Sequence, residues 1–323
     1  MARIPNLAVQ LVAAGNRHDM ITQMITDIAD VVTRRLLALA EAKFGPPPAR
    51  YAWLACGSQG RQEQTGVSDQ DNCLILEDGL DADALAWFDP FARFVSDGLH
   101  ACGYVHCPGD MMATNPRWCQ PVSVWRDYFA HWIASPGKEA QMLASVMFDL
   151  GVIGGDATLF GGLQAETLKA SVRNSIFTAH MATNALAHGT PLGLLKNLAT
   201  IWSGEHRNTI DMKLNGVVPV VDLGRMYALQ GRLDVVNTRA RIEAAIAGRI
   251  ISPGGGRDLL DAYDMIAQSR LDHQAERIKQ GQAPDNFLPP VDLSSFERSH
   301  LRDAFVVVKT MQSALMQGHN VLG

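Results

Sequence analysis

The chain has 323 residues, 47% hydrophobic and 19% charged, with a formal net charge of -5. That length predicts two domains with ordinary globular cores, and the acidic balance excludes a protein that grips nucleic acid mainly through clustered Lys and Arg. No apolar run reaches the roughly 20 residues of a bilayer span, and Asn6 to Ala14 is too short and polar for a secretory signal. The expectation is a cytoplasmic chain with no membrane partner, for which nucleic acid is a poor partner.

From His18 to Lys43 the residues Ile21, Met24, Ile25, Ile28, Val32 and Leu36 recur at helical spacing, and Gly45-Pro46-Pro47-Pro48 stops the run. Tyr51 to Cys56 and Cys73 to Leu76 read as short strands on either side of a polar loop, Gly57 to Ser68. Asp83 to Cys102 returns to helical period. Tyr104 to Thr114 reads as a third strand, and Val122 to Leu150 as helix broken near Ser135-Pro136-Gly137. Past Gly154-Gly155 helical spacing dominates, at Leu163 to His188, Pro191 to Ser203, Leu223 to Leu229, Thr238 to Ala247, Arg257 to Lys279 and Ser294 to Met316. The predicted organisation is a helical segment over 1–48, an α/β (α+β) domain with a small mixed sheet over 49–160, and an all-α domain over 161–323.

Cys56, Cys73, Cys102, Cys107 and Cys119 form no C-x-x-C pair and predict reduced thiols rather than a disulfide framework. His106, Cys107 and Cys119, with Cys102 nearby, match no zinc-ligand spacing, so buried free cysteines are expected. The chain lacks H-E-x-x-H, G-x-S-x-G and a Walker A lysine.

Chemistry concentrates in Leu54 to Asn72. If Asp69 and Asp71 open a strand, their i, i+2 spacing turns both carboxylates to one face, and two aligned carboxylates suit Mg²⁺ completed by substrate phosphates. Gly57 allows close backbone approach to a triphosphate, Ser58 adds a hydroxyl, and Arg61 and Ser68 are further nucleotide-binding candidates. Taken alone, D-x-D is as well explained by a solvated turn. An apolar strand, Gly-Ser, a ten-residue spacer, D-x-D and a second apolar strand together favour a polymerase-β-like nucleotidyltransferase domain. Asp110 and Asp149 are the two candidates for a third catalytic carboxylate. In the second half, Arg270, His273, Gln274 and Arg277 share a helix face and form either a solvated surface or a substrate-binding one, to which Lys213, near Asp211, could contribute.

The strings G-S-x-G-R-x-E-Q and S-D-Q-D-N resemble nucleotidyltransferases related to the protein-PII uridylyltransferases and glutamine-synthetase adenylyltransferases. Residues 188–193, 210–213, 225–229, 270–274 and 281–286 are similar to the helical substrate-binding domain that accompanies them. The resemblance implies NTP as substrate, two Mg²⁺ ions on Asp69 and Asp71, and a protein acceptor such as a PII-like regulator. It leaves two alternatives: a nucleotide-binding regulatory module without turnover, and a small-molecule nucleotidyltransferase. Relatives often carry cyclic-nucleotide-binding and CBS sensor domains, for which this chain has no room. They also usually place arginine two residues after the aspartate of Phe148-Asp149-Leu150-Gly151, where this chain has Gly151.

Overall fold

A computed structural model of the chain describes residues 3–193 and 197–318. Two helices open it, α1 (Arg3–Ala13) and α2 (His18–Phe44). The chain divides into two compact units, one holding Thr22–Asn174 and the other Pro5–Ile21 with the residues from Ser175 onward.

In the first unit α2 ends where the predicted stop lies, at Gly45 with φ +91 followed by three prolines. The chain then forms β1 (Tyr51–Ala55), the single turn α3 (Gly57–Gly60), β2 (Asn72–Leu76), α4 (Ala82–Cys102), β3 (Cys119–Pro121), α5 (Val122–Ala134), α6 (Lys138–Met147), β4 (Gly151–Gly155) and α7 (Thr158–Arg173). The strands lie in the order β3-β2-β1-β4, with β1 antiparallel to both β2 and β4, and β3 parallel to β2. β1 and β2 are buried along their whole length, which accounts for the apolar runs Tyr51 to Ala55 and Cys73 to Leu76. Tyr51, Trp53, Leu74 and Leu76 pack with Phe88, Phe91, Val95 and Leu99 of α4 and with Ala29, Leu37 and Ala40 of α2. Ala52, Leu54, Cys73 and Ile75 are equally buried, and α5 and α7 also pack on β1 and β2. Trp125 of α5 donates its indole N–H to the Leu74 carbonyl at 3.0 Å.

Two sheet expectations need correction. Residues 104–114 are not a strand. They form turns with one isolated bridge, Gln70 to His106, and a backbone bond from Asn72 N–H to the Met111 carbonyl, and Asp110 sits at φ +54. The edge strands are β3, only three residues long and ending in Pro121, and β4, three of whose five residues are glycine. Short, proline-ended or glycine-rich segments carry too little side-chain pattern to read as strands.

The second unit is mostly helical: α8 (Ser175–Ala185), β5 (Ile210–Asp211), a π-helical stretch (Met212–Val217), α9 (Val218–Gly231), α10 (Thr238–Ala247), α11 (Pro253–Lys279), β6 (Phe287–Leu288) and α12 (Ser295–Gly318). β5 and β6 pair antiparallel and add one small two-stranded ribbon to the otherwise helical unit. Every residue of α9 from Pro219 to Leu229 is buried, as befits a central helix surrounded by α8, α10 and α12. Asn237 caps α10 and Ser252 caps α11, each accepting from a backbone N–H three residues on. His18 and Arg239 both bond Asp264 of α11, tying Pro5–Ile21 into this unit. The helix expected over Pro191 to Ser203 is absent from its described residues, which are extended or turn, and residues 194–196 lie outside the described set.

Candidate active site

The loop leaving β1 turns on Gly57, at φ +59. An added Cβ there would stand 2.9 Å from Asp71 Oδ2, so the position needs glycine both for its backbone region and for the carboxylate against it. At Gly60 an added Cβ would meet the Asp149 carbonyl at 1.9 Å, which lets α3 press onto the chain just before β4. The loop returns so that the Asp71 carbonyl accepts from Cys56 N–H at 3.0 Å. Ser68 Oγ accepts from Thr65 N–H at 3.1 Å and closes the turn before the aspartates.

Residues 69–72 alternate in direction. Gln70 and Asn72 are buried, at 1% and 3% exposure. Gln70 donates its amide to the Ser96 and Tyr104 carbonyls, each at 3.0 Å, and Asn72 Oδ1 accepts from Ala113 N–H at 2.8 Å. This anchoring leaves Asp69 and Asp71, both half-buried, on the other side, so the i, i+2 expectation describes the local geometry although β2 itself begins at Asn72. The signal for the two anchors was present as the amides alternating with the acids in D-Q-D-N.

A carboxylate oxygen of Asp69, one of Asp71 and Sγ of Cys107 lie within 4.8 Å of one another. The Cys107 thiol donates to Asp71, and burial together with this bond pushes it up to about 11. Two hard oxygens and a sulfur, arranged around a glycine cradle, form a donor set that fits a divalent metal ion. Cys107 is half-buried rather than fully buried. Cys102 is exposed and Cys119 half-buried, whereas Cys56 and Cys73 are buried as expected.

Neither candidate for the third carboxylate joins this group. Asp110 is exposed in its turn and accepts from Asn115 Nδ2 at 3.0 Å. Asp149 is buried and accepts from an Arg61 Nη at 2.6 Å, while Arg61 Nε donates to Glu63 at 2.8 Å. Burial opposes the guanidinium charge, but Glu63 and Asp149 outweigh it and raise the pKa above its ordinary value. Arg61 thus bridges two carboxylates, Glu63 and Asp149. At Gly151 an added Cβ would meet the Gly60 carbonyl at 3.1 Å, so the residue standing where relatives carry arginine fits under α3, and Arg61 supplies the cation beside Asp149.

In the second unit the shared face of α11 meets the chain's own 283–286 loop. Arg270 Nε donates to Asn286 Oδ1 at 2.7 Å and Gln274 Nε2 to the same oxygen at 3.0 Å. His273 pairs with Asp285 at 2.8 Å, and Arg277 bonds Asp285 at 3.2 Å and the Ala283 carbonyl at 2.8 Å. Asp211 caps the backbone N–H groups of Lys213 and Leu214, leaving the Lys213 side chain exposed.

Residues 2–139 match the family described as Putative nucleotidyltransferase DUF294, and residues 175–318 match the one described as Putative nucleotidyltransferase substrate binding domain. The chain belongs to this two-part nucleotidyltransferase family. No curated protein matches it. Family membership implies an NTP substrate, and the second match gives the helical unit a substrate-binding role. No described helix is long and apolar enough to cross a membrane.

Proposed function

We propose that the chain transfers a nucleoside monophosphate from an NTP to a hydroxyl of a protein acceptor, in the manner of a [protein-PII] uridylyltransferase, with Asp69 and Asp71 holding divalent metal. The observation that carries this reading is the convergence of the Asp69 and Asp71 carboxylates opposite the Gly57 turn. Divalent metal bound there, two ions in such enzymes, would neutralise the triphosphate and make the acceptor hydroxyl a better nucleophile. Asp69 and Asp71 hold and orient that charge, and Gly57 and Ser58 line the approach of the phosphates. The hydroxyl oxygen attacks the α-phosphorus, the bond to the bridging oxygen of the β-phosphate breaks, pyrophosphate leaves, and the hydroxyl proton passes to solvent. Catalysis of this kind is positioning and electrostatic stabilisation.

Arg61 contributes by fixing the loop: its two carboxylate bonds join the segment after α3 to the start of β4. The α11 face does the same for the 283–286 loop, and exposed Lys213 remains the candidate for direct contact with the acceptor.

The test is incubation of the full chain with labelled NTPs, Mg²⁺ and host lysate, repeated with Asp69→Asn and Asp71→Asn. Label transferred to protein by the parent chain should fall at least about a hundredfold in both variants, the scale of losing one preorganised charge-stabilising group. Undiminished transfer in either variant rejects the metal assignment. Mg-NTP binding without transfer or pyrophosphate release would instead identify a nucleotide-sensing module, and label on small molecules alone would replace the protein acceptor.

A further inference from the structure

The donor that completes the Asp69–Asp71 group belongs to the irregular segment between α4 and β3. That segment is tied to the aspartate strand on both sides of Cys107. Gln70 N–H bonds the Val105 carbonyl at 3.0 Å, and Asn72 N–H bonds the Met111 carbonyl at 2.9 Å. Cys107 N–H in turn points at Met112 Sδ, 3.4 Å away. The tethers alternate with the acids, so the same backbone geometry that aligns Asp69 with Asp71 brings the Cys107 sulfur to them. Asp110, three residues further on, is turned to Asn115 instead.

Sulfur changes what such a seat prefers. Mg²⁺ is a hard ion that takes oxygen ligands and holds its water firmly, whereas a thiolate favours softer, first-row transition ions. We propose that Cys107 is the third protein ligand of the metal seat and that the ion held there is a thiophilic divalent cation of the cobalt and zinc class. An ion arriving on the triphosphate remains an oxygen-bound Mg²⁺. The inference rests on Asp69 and Asp71 being metal ligands and adds the identity of the third donor. As the metal enters, the sulfur–metal bond replaces the S–H bond to Asp71, and the thiol proton passes to solvent.

The experiment uses the full chain, stripped with chelator, and Co²⁺ alone as probe. The expected result is a sulfur-to-cobalt charge-transfer band in the near ultraviolet that saturates on titration, is lost in Cys107→Ser, and is unchanged in Cys102→Ser, which removes the exposed thiol. By calorimetry, Cys107→Ser should weaken Co²⁺ and Zn²⁺ binding by more than about tenfold while changing Mg²⁺ binding by less than about twofold. Serine keeps a donor for Asp71, so a thiol serving only as hydrogen-bond partner would give equal Co²⁺ affinity in parent and variant. That outcome, or a band surviving in Cys107→Ser, overturns the proposal. Asp69→Asn and Asp71→Asn separate the two levels. If they abolish Co²⁺ binding while Cys107→Ser does not alter it, the thiol assignment alone fails. If they bind Co²⁺ like the parent, the carboxylate reading has failed and the shared seat with it. Far-ultraviolet circular dichroism confirms that each variant is folded.

Discussion

Asp71 and Asp149 lie close to the two ends of one turn of backbone, yet their partners differ in kind. Asp149 is buried against the guanidinium of Arg61, a cation that cannot be deprotonated, with Glu63 on its other side. Asp71 is half-buried and faces a neutral thiol and a second carboxylate. A buried carboxylate matched by a fixed protein cation is committed to the fold. Asp69 and Asp71 meet at a thiol instead, the arrangement on which the metal reading rests.

The strongest way to break this contrast is Asp149→Ala. It leaves Arg61 buried with one partner removed, and equilibrium unfolding should show a loss of about 3–5 kcal/mol. A loss below about 1 kcal/mol would remove the distinction between the two clusters. Next is Gly57→Ala, which forces an L-residue into the left-handed region beside Asp71 Oδ2. The backbone cost should be about 1–2 kcal/mol in unfolding experiments, accompanied by weaker metal binding because Asp71 must move. Metal affinity unchanged in this variant would show that the turn does not set the seat. Asp69→Asn should alter stability by no more than about 0.5 kcal/mol while removing transfer, the reverse of the Asp149 variant.

A third carboxylate sharpens the comparison from the neutral side. Asp30 of α2 is buried and accepts a neutral amide bond from Gln59 Nε2 at 2.9 Å. Burial raises its pKa, an effect the Gln59 bond and Arg34 partly offset. An acid whose folded pKa lies above its unfolded one favours the fold while protonated, and that contribution is lost as pH rises through the folded value. Asp30→Asn should therefore be more stable than the parent at neutral pH, with the gain vanishing as pH falls below the ordinary carboxylate range. A gain that persists in acid would assign the effect to packing instead.

Apart from the stretch Pro191 to Ser203, the long helices and the two central strands were legible because burial imposes period: α2 carries its apolar residues at helical spacing, and β1 and β2 are buried on both faces. Thr238 to Ala247 coincides with α10 to the residue. The D-x-D alignment was legible for the same local reason, since direction along an extended chain follows from counting. The pairings were not. Nothing near Asp149 announces Arg61, 88 residues away, and nothing in G-Y-V-H-C-P-G shows that its cysteine returns to Asp71. The polar stripe on α11 could be read as a face, but whether that face meets solvent, a ligand or the 283–286 loop depends on where distant chain is placed.

The bond from Cys56 N–H to the Asp71 carbonyl closes residues 57–70 into a bracket whose two feet stand on neighbouring rungs of one ladder. The spacing between the Gly57 turn and Asp71 is then a property of the ladder, independent of how much chain arches between them. Doubling the arch would cost only about 0.6 kcal/mol of closure entropy. Its tip at Val67, 42% exposed, is accordingly where chain can be added or removed without moving Asp71.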